Sequence, residues 1–520
     1  MAIIEKIRLI NFKRFRDYIV MPNKKINIFV GDNEVGKSTI LEAIDIVARG
    51  SINRIEKIGL DKLLNIDAVN EFKEGKRTFE NLPTLKIELY LSGNFDFTMN
   101  GKNNEDGKVC DGIRLICEPN PDYRNAIVEA LEISDDYFPY DYYSIRFSTF
   151  ADEAYIGYRN RLRSVMINSS NMNSDYATND FVRRMYLQYT EDNMKERTEH
   201  KSNYRRMRNE FRSEIFKTLN ERVPSEKNYA FGLKSGSSVN LMNDLMIYEN
   251  EIGIDNKGTG KQIFIKTDFA LEHSGDNVDI ILIEEPENHL SHVNLRKLIK
   301  RVIETQSGQL FITTHNSLIS TRLELNNLLI MHINGENKPV ILKDLSEETA
   351  KYFMKAPPAS IVEYALSKKV MLVEGPSEYM LLDNFYKTIT GNSPEDDDVH
   401  IIDIRGLSFK RYLEIANLTG SKVAVLTDND RDYDKNCVKK YDMFRCCNNI
   451  KIFFEENNKK RTFEVVLYED NKSLCDKMFG ENALGYMLDN KTEAAYNLLQ
   501  VVDDIIVPNY MKRAIEWIKE

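Results

Sequence analysis

The chain has 520 residues, 42% of them hydrophobic and 29% charged, with a formal net charge of -10 at pH 7. That length exceeds one ordinary core and predicts two or three domains, and the apolar fraction excludes wholesale disorder. The acidity argues against a uniformly basic nucleic-acid-binding surface, because such affinity comes largely from Lys and Arg on phosphate, but it suits carboxylates gathered around metal ions.

In chain order, IRLINF and INIFVG read as strands, and the second runs into a glycine-rich loop and a helix from Ser38 to Ala48. PTLKIELYLSG alternates Ile87, Leu89 and Leu91 with polar residues, as a half-exposed antiparallel strand does, and IRLICEP from Ile113 is similar. From about 150 to 225 the chain turns rich in Arg, Met, Asn and Tyr, with almost no Gly or Pro, and its spacing is helical. Val182 to Arg222 holds 11 Lys/Arg against 7 Asp/Glu, in itself the pattern of a solvated, salt-bridged helical face. A strongly apolar strand follows at Val278 to Ile283, then a helix with Leu295, Leu298, Ile299 and Val302 on one face, then a strand from Leu310. PPAS at 357 to 360 reads as a linker. Beyond it VMLV, VHIIDI and KVAVLTD alternate with helical patterns, which predicts a parallel sheet. EDDD at 395 to 398 reads as a solvated loop.

No apolar run approaches the roughly 20 residues needed to span a bilayer, and the N-terminal MAIIEKIRLINFKRF lacks a secretory pattern. Cys110, Cys117, Cys437, Cys446, Cys447 and Cys475 are not spaced as zinc ligands and are too few for a disulfide framework. A cytoplasmic protein with reduced thiols and no membrane partner is the expectation.

GDNEVGKST, Gly31 to Thr39, completes the pattern G-x-x-x-x-G-K-[ST] between an apolar strand and a helix. Gly31 and Gly36 let backbone N–H groups turn inward around phosphate. Lys37 neutralises the β and γ oxygens, Ser38 can hold Mg²⁺, and the helix N-terminus adds its positive end. A P-loop calls for a second, acidic strand, and DIILIEEPENHL supplies it. Glu284 ends that strand and can organise Mg²⁺ through water; Glu285 is placed to polarise an attacking water. FITTHNS puts His315 past the next strand, within reach of a γ-phosphate.

These residues resemble the ABC-type ATPase heads of the SMC and RecF kind. The resemblance rests on Asn11 to Phe15 as the N-F-[KR]-x-F element, Asn33 as the third P-loop residue, and Glu285 to Leu290 as E-P-E-x-H-L. It implies an ATP site that includes Asn33, Gly36, Lys37, Ser38, Thr39 and Glu284. It also implies a signature segment that binds the ATP of an opposite subunit, matched by NKGTGKQ with Gly258, Gly260 and Gln262. The serine usual in that segment is missing here. Two heads closing on two ATPs imply a homodimer or higher homo-oligomer, with the helical insertion at about 150 to 230 as its possible dimerisation element.

After residue 365 an acidic pattern returns in another form. Glu374 ends a strand, Glu378 lies one helical turn on, and Asp428 and Asp430 end KVAVLTDND. In a parallel sheet functional groups collect beyond the carboxyl ends of the strands. Four carboxylates there repel one another unless a cation joins them, and oxygen-only ligands suit Mg²⁺ or Mn²⁺. Glu-Gly at one strand end, a Glu four residues on and Asp-x-Asp after a later strand look like a Toprim domain.

An SMC-like head followed by Toprim resembles the OLD (overcoming lysogenization defect) family of ATP-dependent nucleases, whose architecture Gabija nuclease subunits and some retron-associated effectors share. The implied fold is α/β: an ABC-type P-loop ATPase head over 1–355 with a helical insertion at 150–230, then a Rossmann-like Toprim nuclease domain over 365–520. By the same resemblance RTFEVVLYE offers Glu464 as a further metal ligand beside Glu374, Glu378, Asp428 and Asp430. NKTEAAYNLL offers Lys491 as the lysine facing the cleaved phosphate, with Lys512 as its rival. Glu374 can serve as general base or as ligand.

The implied activity is an ATP-regulated, metal-dependent DNA endonuclease in anti-phage defence. DNA would be its substrate, with an accessory defence subunit or a retron RNA/DNA among possible partners. The competing expectation is an SMC- or RecF-like structural or repair ATPase that binds DNA through a non-catalytic Toprim domain. A topoisomerase or primase would need a DNA-gate domain or a zinc module, and neither fits the remaining chain or its cysteines.

Overall fold

A computed structural model describes residues 2–93, 95, 97–133, 137–155, 162–168, 182–183, 185–187, 189–190, 193–223, 231, 233, 241–272, 278–288, 290–305, 308–332, 338–406 and 408–520. They fall into two compact units, Met1–Leu162 with Gln309–Glu520, and Arg163–Gly308.

The first unit opens with β1 (Ile3–Phe12), β2 (Phe15–Val20), β3 (Ile26–Gly31) and α1 (Lys37–Arg49). β4 (Leu85–Ser92), β5 (Cys110–Pro119) and β6 (Tyr143–Thr149) follow. β2, β1, β4, β5 and β6 pair antiparallel in that order. β3 belongs to a second sheet, parallel to β7 (Gln309–Thr313) on one side and β8 (Leu328–Met331) on the other; β9 (Val340–Ile341) pairs antiparallel with β8. α1 packs against both sheets, which explains why its residues Ile40 to Ala48 are buried apart from Glu42.

β4 departs from the half-exposed strand that its alternation suggests. Glu88 is only 1% exposed; its carboxylate accepts from Tyr90 Oη at 2.8 Å and from the Glu105 backbone N–H at 3.1 Å. Local hydrogen bonds satisfy a charged group that alternation assigned to solvent.

Two helices, α2 (Glu347–Lys355) and α3 (Ile361–Leu366), lead to a second α/β pattern. It comprises β10 (Lys369–Val373), α4 (Pro376–Thr390), β11 (Val399–Asp403), α5 (Phe409–Thr419), β12 (Lys422–Leu426) and β13 (Ile450–Phe453). Its strands pair in the order β11-β10-β12-β13, all parallel. The helices α6 (Phe463–Asp470), α7 (Lys491–Leu498) and α8 (Asn509–Lys519) complete it. Met371, Leu382, Phe385, Phe463, Leu498 and Ile515 share one core beneath these helices. The EDDD segment is tied down in part, because Asp397 accepts from Tyr386 Oη at 2.9 Å.

In the second unit the strand Ile280–Glu284 pairs parallel with Ser164–Asn168. The second strand lies inside the stretch read as helical. Its apolar residues, Val165, Met166 and Ile167, are too few to show a period of two among polar neighbours. Arg163 anchors this pair on buried Asp279, with Nε to Oδ2 at 2.9 Å. Met194–Glu214, Thr259–Glu272 and His292–Thr305 are helices. Within the insertion, 156–161, 169–181, 184, 188, 191–192 and 224–230 lie outside the described residues.

Asp45 on α1 is 1% exposed and pairs with Arg49 and Arg54. Burial pushes its carboxyl up, but the two guanidinium groups outweigh this and hold it below the usual range. Asp45→Ala should therefore cost about 2 kcal/mol, as charged hydrogen bonds do, and lower the thermal unfolding midpoint. A midpoint equal to wild type would show that the pair does not fasten α1.

Candidate active site

The P-loop forms where β3 meets α1. A Cβ on Gly31 would lie 2.6 Å from the Met331 carbonyl, and Gly36 has φ +100; both positions need glycine. Lys37 is 5% exposed, and its Nζ donates to the carbonyls of Gly31 and Asp32, each at 2.8 Å. The ammonium thus lies folded over its own loop, where phosphate oxygens can replace the carbonyls. Asn33 and Ser38 are exposed, and Thr39 is half-buried. β7 runs parallel beside β3, so His315, exposed beyond its end, lies past the same sheet edge.

In the second unit Glu284 is the last residue of its strand. Glu285 follows with φ +39, a left-handed turn that a non-glycine residue adopts at a cost. Asn288 Nδ2 donates to its Oε2 at 2.7 Å. Gly258 precedes the helix Thr259–Glu272, and Gly260 lies in its first turn. Gln262 is 6% exposed, with Nε2 donating to the Lys257 carbonyl at 2.9 Å.

The second cluster is built by strand register. Leu372 of β10 pairs with Val425 of β12. Two residues on, Glu374 meets Thr427, whose Oγ1 donates to Glu374 Oε1 at 2.6 Å; the Asp428 N–H donates to the same oxygen at 3.1 Å. Oε2 of Glu374 is left uncommitted among the described residues. Pro376 starts α4 and puts Glu378 in its first turn, 9% exposed. Asp428 Oδ1 accepts from the Phe463 N–H at 2.8 Å, which brings it to the start of α6. There Glu464 is 4% exposed and carries Lys491, the first residue of α7, with Nζ at 2.9 Å from Oε1 and 3.0 Å from Oε2. The rival Lys512 instead faces Glu516 at 4.0 Å on an exposed turn of α8. Asp430 is exposed, with φ +46.

The electrostatics are those of crowding. Burial, then Glu374, Glu378 and Glu464, push Asp428 up to about 9. Burial, then Glu464 and Glu374, push Glu378 up to about 8. Burial lowers the Lys491 ammonium, but Glu464 outweighs it and the net shift is upward. Tyr510 on α8 is 3% exposed; burial raises its phenol, and Asp428, Glu378, Glu374 and Glu464 raise it further. The tyrosine therefore feels the charge of the cluster from a helix that the sequence marks only as amphipathic. Thr427 was equally hidden, since its role comes from strand register.

The donor set of carboxylate oxygens fits a hard divalent cation. Among the described residues no three His, Cys, Asp or Glu side chains already stand as a ligand group; the upward shifts of Asp428 and Glu378 come first from burial and then from their carboxylate neighbours. Among the same residues no helix is long and apolar enough to cross a membrane.

Comparison with known proteins gives each part a relative. Residues 366–430 match the model of the overcoming lysogenization defect protein-like TOPRIM domain, and residues 3–176 match an AAA ATPase domain. A further AAA domain model matches 258–321. The Old nuclease of Escherichia phage P2 is 26% identical over 163 residues, 29% of this chain and 28% of that protein. The DNA replication and repair protein RecF of Clostridium novyi is 28% identical over 170 residues, 29% of this chain and 44% of its own. The matched segments thus span less than half the length of either relative. A RecF–ATP structure aligns with 64% of the chain and 98% of its own at 10% identity and TM-score 0.34. The SMC head of Thermotoga maritima aligns with 63% and 94% at 13% identity and TM-score 0.27. Scores this low add nothing to the sequence matches.

The raised carboxyls fix the sign of a pH effect. Unfolded, Asp428 and Glu378 titrate near 4; folded without a cation they hold protons to about 9 and about 8. The native state binds more protons in that window, so stability falls as pH rises through it. In EDTA the thermal midpoint should drop between about pH 5 and about pH 9, and Glu378→Gln should flatten the drop. An unchanged slope in the variant would rule out this crowding.

Proposed function

We propose that this chain, an OLD-family ATPase–Toprim protein, is an ATP-binding and ATP-hydrolysing DNA endonuclease whose cleavage depends on a divalent metal. The observation that carries the reading is the group of Glu374, Glu378, Asp428 and Glu464, two of them buried and two half-buried, with Lys491 seated on Glu464. Crowded carboxyls with perturbed proton affinity at a sheet edge mark a functional site more often than a purely structural one. Glu374, Glu378, Asp428, Asp430 and Glu464 would hold Mg²⁺ or Mn²⁺. The bound ion would supply charge stabilisation and water activation at a phosphodiester.

The chain's own residues divide the remaining work. Thr427 and the Asp428 N–H orient Glu374 through one oxygen and leave the other to accept a proton from water, the general-base role. Lys491, held by Glu464, presents positive charge to the cleaved phosphate. In the ATPase head, Lys37 exchanges loop carbonyls for the β and γ oxygens, Glu285 polarises water, and His315 senses the γ-phosphate. The signature segment around Gly258 and Gly260 serves the opposite subunit's ATP, so the working form is at least a homodimer. Anti-phage defence, with an accessory subunit or a retron RNA/DNA as partner, is the setting that this architecture suggests. The RecF match favours one other reading, a DNA-repair ATPase with a silent Toprim domain.

Plasmid incubation with Mg²⁺ or Mn²⁺, with and without ATP, separates the two. Nicked and linear products are expected; unchanged plasmid would favour the silent domain. Asp428→Ala should cost orders of magnitude in cleavage, as removal of a metal-holding carboxylate does, while ATP binding survives. Full cleavage by that variant would sink the Toprim mechanism. Lys37→Ala should abolish nucleotide binding, and Glu285→Gln should keep ATP but hydrolyse it slowly. Wild-type hydrolysis by Glu285→Gln would remove Glu285 from its role.

A further inference from the structure

The segment 454–462 joins β13 to α6 as a strap without regular structure. Its anchor is Asn429, between the two aspartates of the Toprim motif and 1% exposed. Asn429 Nδ2 donates to the carbonyls of Glu455, Asn457 and Lys460 at 2.7, 3.1 and 3.2 Å. Its Oδ1 accepts from the Arg431 N–H at 2.9 Å, and the Asp430 N–H donates to the Arg461 carbonyl at 3.2 Å. Tyr433 stacks on Phe454, with ring centroids 5.8 Å apart. The strap ends at Phe463, whose N–H holds Asp428, and the next residue is Glu464. The buried Asn429 amide thus makes three of the hydrogen bonds that tie the strap to the strand end that carries the carboxylates.

The strap also carries cations that no carboxylate holds. Among the described residues, Lys459 and Arg461 on it, and Arg431 opposite, form no ion pair, although Asp430, Asp432, Glu455 and Glu456 lie close in sequence. Lys460 is committed to Asp470 at 2.6 Å, and Asp434 to Lys439. Lys459 and Arg431 are exposed and Arg461 is half-buried. Uncommitted cations beside a carboxylate site answer a physical need. A polyanion approaching Glu374, Glu378 and Asp428 meets repulsion unless fixed positive charge flanks them.

We propose that the strap is a seat for the DNA backbone: Lys459, Arg461 and Arg431 bind phosphates adjoining the one that is cut, and Asn429 is the positioning residue that holds the strap in place. The proposal rests on the nuclease reading of the Toprim site and adds to it where the substrate lies.

The test is fluorescence anisotropy of a labelled DNA duplex with the full chain in Ca²⁺, across a salt series, beside Mn²⁺-dependent plasmid cleavage. Lys459→Ala with Arg461→Ala should weaken binding and reduce the log–log salt slope by about 2, one unit for each phosphate that is no longer neutralised. Lys459→Arg with Arg461→Lys should restore both. Asn429→Ala removes no charge, yet should raise KM for DNA and lower the salt slope. If the double alanine variant binds with wild-type affinity and slope while Asp428→Ala abolishes cleavage, the seat is wrong and the nuclease reading stands. If wild type neither binds nor cuts DNA under any of these conditions, both fall.

Discussion

Gathering like charges at one sheet edge, two of them buried and two half-buried, is the constraint from which the C-terminal half of this protein is built. Glu374, Glu378, Asp428 and Glu464 come from four different elements, and each is presented by a feature that fixes its direction. Strand register gives Glu374 its Thr427 partner. A proline-started helix gives Glu378 its place in the first turn. A backbone N–H holds Asp428, and a lysine holds Glu464. Some of the repulsion is met by protons on Asp428 and Glu378, and some by Lys491. Carboxyls that keep their protons near neutrality can exchange them for a cation, which is the energetic reason for proposing a cation site here beside the chemistry of its donors.

The ATPase elements of the first unit and the Toprim sheet are joined by packed structure as well as by chain. α3 contacts β3 and β8 on one side and α5 on the other. Tyr364 of α3 is buried and donates its Oη to the Tyr412 carbonyl at 2.7 Å. Arg411 of α5 reaches back to Thr349 and Glu348 of α2 at 2.9 and 3.1 Å. The strand that delivers the P-loop thus rests on a helix that also supports the Toprim sheet.

Much of this was legible in the sequence because the informative residues sit at strand ends. A buried run that stops at Gly31, Glu374 or Asp428 marks its own carboxyl edge, and parallel alternation places those edges together. The Ser164–Asn168 strand was not legible, since three apolar residues among Arg, Ser and Asn show no period. The burial of Glu88 was hidden because alternation cannot foresee a local hydrogen-bond partner. Tyr510 reads as an ordinary core residue of an amphipathic helix, and Asn429 as a spacer between two aspartates. Both acquire meaning only from what a distant segment places against them.

The central claim is that the Toprim carboxylates form a cation site separate from the nucleotide site. Mn²⁺ binding followed by electron paramagnetic resonance, in a Lys37→Ala background without nucleotide, tests it most directly. The account predicts saturable Mn²⁺ binding that Asp428→Ala abolishes or weakens by at least about tenfold, equivalent to 1.4 kcal/mol. Equal binding with and without Asp428, or none in either protein, would contradict it.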